Sequence, residues 1–194
     1  TEVASPQGWQ NNKELVLEFY NQRRRQILKA KPNSAHTALA SLEKDYDVTI
    51  ITQNIDDLHE RGGSSYVIHL HGEIKKSRST FDSSLIYDIE GSELNLGDKC
   101  EKGSQLRPHI VWFGEAVPMI ETAIRYCFTA DIFIVIGTSM VVYPAASLIE
   151  FVPPDCAKYI IDPKKPDIFY PPPNTIYIEK SATEGMKELT EMLK

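Results

Sequence analysis

Residues 131–136 read DIFIVI, an apolar, β-branched run that passes straight into Gly137, Thr138 and Ser139. The run is too short for a helix and shows no polar alternation, so it predicts a strand that ends in a glycine turn. Residues 48–52 (VTIIT) share this character and predict a second, buried strand. Further strands are expected at 66–70, 158–161 and 175–178. Helical spacing lies between them: Leu15, Val16, Phe19, Tyr20, Ile27 and Leu28 within 13–31, with Pro32 as the stop. A helix over 34–45 would be capped by Asn33 or Ser34, and shorter ones are expected at 56–61 and 118–128 and from about Pro144. Ser181 and Glu184 form a capping-box pattern for a last helix that ends near Leu193. Residues 1–12, with Pro6 and Gly8, read as an irregular lead-in. Strands that alternate with helices predict an α/β fold built on a parallel, doubly wound sheet.

A chain of 194 residues suits one domain, or one domain with a small insertion. Residues 75–109 are polar and aperiodic, and they are expected to form a small inserted module between 1–74 and 110–194. Its own apolar residues, Phe81, Leu85, Ile86, Tyr87, Leu94 and Leu96, are expected to hold it together. The net charge of −6 argues against general nucleic-acid binding, while leaving room for a local basic groove. No apolar run approaches the ~18–20 residues of a membrane span, and no signal pattern opens the chain. Cys100, Cys127 and Cys156 are scattered and form no CxxC pair, which fits reduced thiols in the cytoplasm.

Chemistry-bearing residues concentrate at 52–72, TQNIDDLHERGGSSYVIHLHG, which bridges two of the expected strands. Gln53, Asn54 and Asp56 follow the first strand and can hydrogen-bond ribose hydroxyls or a carboxamide; equally, Asn54 or Asp56 can cap the short helix that follows. His71 directly follows the second strand, and an imidazole there can act as a general base or as a hydrogen-bonded structural side chain. Gly137, Thr138 and Ser139 can approach a phosphate or ribose closely, or make a plain turn. Tyr20 and Arg23 lie three apart, so on a helix they share a face; a phenol and a guanidinium together suit a carboxylate, or they divide between core and solvent.

Taken in order, TQNIDDLH, HLHGE, RPHIVWFGE and VIGTSMVVYPA resemble the sirtuins, the Sir2 family of NAD-dependent protein deacylases. The resemblance spans nearly all of the chain and implies a Rossmann-like NAD domain with a smaller module inserted after the histidine strand. It implies that Gln53, Asn54, Ile55 and Asp56 hold the nicotinamide ribose and carboxamide, that Asn54 and His71 are catalytic, and that His71 is the general base. Gly137, Thr138 and Ser139 would contact the adenosine side of NAD, with Asp162 and Pro163 at the adenosine ribose and Ala182 near the adenine. Val111, Trp112, Phe113, Gly114 and Glu115 would form a strand that pairs with an acyl-lysine peptide. The implied reaction expels nicotinamide and transfers the acyl group to ADP-ribose, freeing the lysine. Tyr20 and Arg23 match the pattern of the bacterial-type sirtuin class that removes succinyl and malonyl groups.

The chain also departs from the family. Most sirtuins carry four zinc cysteines in the inserted module, whereas residues 72–110 hold only Cys100. Asp98 and His109 do not complete a zinc pattern with it, so no zinc is expected. Asp162 stands where the family usually has Asn. The family's opening Gly-Ala-Gly-x-Ser turn and its Phe-Arg pair are not in this sequence, so weak NAD binding and little turnover are expected from these residues alone. The other readings are a peptide or nucleotide binding module without catalysis, and an NAD or ADP-ribose hydrolase.

Overall fold

The computed structural model describes residues 3–138, 144–164 and 173–194. In chain order the elements are α1 (Pro6–Asn11), α2 (Lys13–Lys29), α3 (Ser34–Leu42), β1 (Ile50–Thr52), α4 (Leu58–Arg61), β2 (Val67–His69), β3 (Gly72–Ser79), β4 (Ile86–Asp88), β5 (Leu106–Ile110), α5 (Ile120–Cys127), β6 (Ile132–Ile136), a 3-10 helix (Ala145–Phe151), β7 (Ala157–Ile161), β8 (Thr175–Ile178) and α6 (Ala182–Met192). The fold is α/β and Rossmann-like. Two compact units divide the chain: Thr1–Lys31, Thr52–Asp57 and His69–Val117 form one, and Pro32–Ile51, Leu58–Ile68 and Pro118–Lys194 form the other.

In the second unit β6, β7 and β8 form a parallel sheet in that order, with Ile136 opposite Ile161 and Ile161 opposite Ile178. The central strand β7 is buried from Lys158 to Ile161, while β6 is half-buried along its length because it is an edge strand here. Leu39 and Leu42 of α3 pack with Tyr159, Ile161, Ile178, Met186 and Leu189 in one apolar cluster. Asn33 caps α3, its Oδ1 accepting from the Ala35 N–H (2.9 Å) and the His36 N–H (3.2 Å). Gly185 brings α6 close to β7: a Cβ there would lie 2.2 Å from Ile161 Cγ2. Short strands β1 and β2 pair separately; Ile50 N donates to Tyr66 O (3.0 Å) and Leu70 N to Thr52 O (2.9 Å), and these rungs ascend both strands together.

The first unit centres on the antiparallel sheet β4-β3-β5. Residues 1–12 are not wholly irregular, since Pro6–Asn11 is a helix. Ser5 caps it by accepting from the Gly8 N–H, and Pro6 occupies the first helical position, where its missing N–H costs nothing. The inserted segment is not held by its own apolar residues either. Phe81, Ile86 and Leu96 are exposed, Leu85 and Tyr87 are half-buried, and only Leu94 is fully buried. Leu94 joins Trp9, Val16, Leu17, Tyr20, Ile74, Ile110 and Trp112 in one cluster.

Polar bonds from α2 complete that attachment. Arg24 is fully buried; its Nε donates to Ile74 O (2.7 Å) and its Nη1 to Ser92 O (2.8 Å) and Asn21 Oδ1 (2.7 Å). Asn21 in turn donates to Leu94 O (3.2 Å) and accepts from Leu94 N (3.0 Å). Burial lowers Arg24 to about 10, so it keeps its charge at neutral pH, bonded to backbone carbonyls.

Candidate functional site

β1 ends at Thr52, whose hydroxyl accepts from the Asn54 N–H (3.1 Å) and turns the chain out of the strand. Gln53, Ile55 and Asp56 are left half-buried and Asn54 exposed. Ile74 N donates to Ile55 O (2.8 Å), which anchors the loop beside β3. His71 follows β2, and its Nδ1 lies 3.1 Å from Gln53 O. A carbonyl only accepts, so in this bond Nδ1 carries the proton, and the neutral ring keeps a lone pair on Nε2 that can accept another. His71 O accepts from Val111 N (2.9 Å), so His71 is bonded through its ring to the Gln53–Asp56 loop and through its backbone carbonyl to residues 111–115.

Gly72 makes that junction possible. It sits at φ +83°, and a Cβ would lie 2.1 Å from His109 O. Only a residue without a side chain lets β3 start this close to β5.

The expected strand at 111–115 is different here. β5 stops at Ile110, and Gly114 at φ +90° bends the chain into a turn closed by Glu115 N donating to Trp112 O (3.0 Å). Trp112 is buried and Phe113 is 65 % exposed, with Phe113 N donating to Ala4 O (3.1 Å). Glu115 folds back so that its Oε2 accepts from Trp112 N (2.8 Å).

Two arginines that sequence patterning does not single out hold this turn. Arg107 grips Glu115 with both guanidinium nitrogens, Nη1 to Oε1 at 2.6 Å and Nη2 to Oε2 at 3.1 Å, and lies 3.3 Å from the Trp112 ring centroid. Arg78 Nη2 reaches Glu115 Oε2 at 3.3 Å. Burial pushes the Glu115 carboxyl up, but the Arg107 hydrogen bond, the Trp112 N–H and both arginine charges outweigh it and hold it below the usual carboxylate range. Burial lowers Arg107, with Glu115 opposing. The signal available in the sequence was an Arg and a Glu at either end of RPHIVWFGE.

Tyr20 and Arg23 part company in polarity. Tyr20 is buried and its hydroxyl accepts from Trp112 Nε1 (3.0 Å), whereas Arg23 is exposed over the Phe19 ring at 5.2 Å. Burial raises the Tyr20 phenol, with the Trp112 bond working against that rise.

In the second unit the remaining expected residues gather at the carboxyl ends of the parallel strands, where open α/β sheets take ligands. Gly137 follows β6, with its N–H donating to Ile161 O (3.0 Å); Asp162 follows β7, with its N–H donating to Ile178 O (3.2 Å). Gly137 has φ +58°, and among the described residues no atom lies within 4 Å of where a Cβ would be. Asp162 carries a carboxylate suited to ribose hydroxyls, and its Oδ1 accepts from Lys164 N (2.9 Å). Thr138 and Pro163 adjoin them, and Ala182 opens α6 behind its Ser181 cap. A glycine turn and a carboxylate at two strand ends could hold an adenosine group. Ser139 lies outside the described residues.

The inserted segment does not fit zinc. Cys100 Sγ donates to Ser79 Oγ (3.3 Å), and Asp82 accepts from Lys102 Nζ (2.7 Å) and from the Ser84 hydroxyl (2.6 Å). Asp98 accepts from Asn95 N (2.7 Å), and among the described residues no three His, Cys, Asp or Glu side chains converge on one point.

Comparison with known proteins supplies the context for this geometry. The Sir2 family model matches residues 1–144. An NAD-dependent protein deacylase of Bacteroides thetaiotaomicron is 51 % identical over 197 residues, spanning 99 % of this chain and 84 % of that protein. A protein of the same name from Helicobacter pylori strain 26695 is 54 % identical over 192 residues, spanning 99 % and 83 %. The crystal structure of a Sir2 homolog in complex with NAD superposes with a TM-score of 0.89 at 39 % identity, covering 99 % of this chain and 76 % of that one.

Proposed function

The chain belongs to the Sir2 family, and from that membership we propose that it is an NAD-dependent protein-lysine deacylase. NAD supplies an electrophilic ribose carbon and nicotinamide as the leaving group. Gln53, Asn54, Ile55 and Asp56 orient the nicotinamide ribose and carboxamide, and Asn54 takes part in the chemistry. His71 accepts a ribose hydroxyl proton at Nε2. Residues 111–115 hold the substrate polypeptide, and Gly137, Thr138, Ser139, Asp162, Pro163 and Ala182 take the adenosine half. One observation carries the reading: the Gln53 carbonyl holds His71 Nδ1, while the His71 carbonyl binds Val111. The general base is thereby oriented by the loop that would hold the ribose, and tied to the segment that would hold the peptide.

The acyl group removed is succinyl or malonyl as well as acetyl. Although Tyr20 is buried and Arg23 exposed, the Tyr20 hydroxyl accepts from Trp112 and its own proton has no acceptor among the described residues, which supports a carboxylate partner. Arg23, one turn along α2, supplies the charge. The net charge of −6 favours a polypeptide substrate over nucleic acid. No described helix is long and apolar enough to cross a membrane, and Cys100, Cys127 and Cys156 are all free thiols, which suits the reducing cytoplasm.

Mass spectrometry of acetyl- and succinyl-lysine peptides incubated with NAD tests this. Nicotinamide, free lysine and O-acyl-ADP-ribose are expected, and they should vanish in His71→Ala. An unmodified product profile in that variant would sink the assignment of the base. For acyl choice, Tyr20→Phe and Arg23→Met should lower succinyl turnover more than acetyl turnover; equal losses refute the role of the pair.

A further inference from the structure

Beside the 112–115 turn lies an open cavity of about 460 Å³. Its walls come from α1 (Trp9), from the end of β3 and the residues after it (Arg78, Phe81, Ser83), and from β5 and the turn (Arg107, Glu115). Nothing in the proposed reaction uses this space.

Charge and donors are out of balance there. Two guanidiniums share one carboxylate, which leaves an excess of one positive charge. Arg107 satisfies Glu115 in bidentate fashion and also donates from Nη2 to Ile110 O (3.0 Å), yet its Nε is buried without a partner. Arg78 makes only two long bonds, from Nη2 to Glu115 Oε2 (3.3 Å) and to Ile110 O (3.4 Å). Its Nε and Nη1 have no acceptor among the described residues. Both side chains are mostly buried, at 13 % and 10 % exposure, and of their unpaired donors Arg107 Nε is cut off from solvent. The missing partner is an acceptor with a negative charge. A carboxylate would take the free edge of Arg78 as a fork, while the Trp9 ring and the exposed Phe81 ring flank an aliphatic stem.

We propose that this cavity binds an acidic side chain, Asp or Glu, of the substrate polypeptide near the acylated lysine. The inference rests on the reading of residues 111–115 as the peptide-holding segment. Glu115 belongs both to that segment and to the cavity wall, so a polypeptide lying along the one passes the mouth of the other. Recognition of one flanking carboxylate gives sequence selectivity to an enzyme that otherwise reads backbone.

The test uses fluorescein-labelled acyl-lysine peptides with Glu, Gln or Lys placed in turn at each position within four residues of the acyl-lysine. Binding is read by anisotropy without NAD, and KM by turnover, for the wild-type chain and for Arg78→Gln and Arg78→Glu. At one or more positions Glu should bind the wild type about fivefold tighter than Gln at low salt, and the gain should shrink as salt rises. Arg78→Gln should abolish that gain, and Arg78→Glu should transfer the preference to Lys. A merely structural role for Arg78 cannot reverse the preferred charge. A wild type indifferent to Glu at every position overturns the proposal, as does an Arg78→Glu chain that still prefers Glu. A flat peptide series combined with Arg78-dependent stabilisation by inorganic phosphate also overturns it, in favour of a phosphate site. Peptides that bind with the predicted charge dependence but are never turned over would leave the cavity in place and defeat the deacylase reading instead.

Discussion

Replacing Gly72 by alanine should destabilise the unit that contains it by about 4 kcal/mol, and the figure can be built from its parts. Gly72 sits at φ +83°, where an L-residue is disfavoured by about 1–2 kcal/mol. The added Cβ would lie 2.1 Å from His109 O and 2.9 Å from His109 C, both backbone atoms, so no side-chain rotation relieves the overlap. The strands must separate by about 1 Å or more, which opens the Gly72–Ile110 rung and the bond from Val111 N to His71 O. Each lost backbone bond costs about 1 kcal/mol net, and the buried Ile74 and Ile110 beside them lose contacts as well. Gly91 supplies the control. Its φ is +73° but nothing lies within 4 Å of its Cβ position, so Gly91→Ala should cost only the backbone preference, about 1 kcal/mol. The chain's two tryptophans, Trp9 and Trp112, both lie in this unit, so tryptophan fluorescence in urea reports its unfolding. With a urea slope of about 2 kcal/mol per molar, the midpoint should fall by about 2 M for Gly72→Ala and about 0.5 M for Gly91→Ala. Equal shifts in the two variants would refute the close-approach argument.

Three further outcomes follow from named contacts. Trp112→Phe and Tyr20→Phe, alone and combined, should show a coupling of about 1 kcal/mol in a double-mutant cycle of urea midpoints; no coupling would mean that the indole–phenol bond is absent in solution. The Asp82 carboxyl is held down to about 2, first by Lys102 and then by the Ser84 hydroxyl and N–H, against an ordinary value of about 3.9. A depressed carboxylate contributes stability above its unfolded value and loses it as pH falls through the folded one, so Asp82→Asn should flatten the stability curve between about pH 4 and 2. Metal analysis of protein purified without chelator should find no stoichiometric zinc, because Cys100 and Asp82 already have protein partners; one zinc per chain would overturn that.

Much of the site was legible because its signals are local. The Asn33 cap, the Ser181 cap, the strand at Ile132–Ile136 and the polar loop that follows Thr52 each depend on residues within a few positions of one another. The errors came where local meaning depends on position within an element. Pro6 read as a breaker but is the first residue of a helix. The module's apolar residues read as a core, yet Phe81, Ile86 and Leu96 face solvent, because Leu94 with buried Arg24 and Asn21 ties the segment to α2.

Residue order and type by themselves determined the α/β alternation, the placement of Gln53, Asn54, Asp56 and His71 at strand ends, and the family resemblance. Short-range periodicity and capping carry that information along the chain. Tertiary structure alone decided which of three consecutive arginines is buried: Arg24 meets carbonyls 50 and 68 residues away. It also decided that His71 presents Nε2, that Trp112 bonds a phenol 92 residues distant, and that Arg78 and Arg107 converge on Glu115. Those outcomes depend on burial and on partners far along the chain. The energy of a buried charge or hydrogen bond is set by whatever groups the fold brings to it.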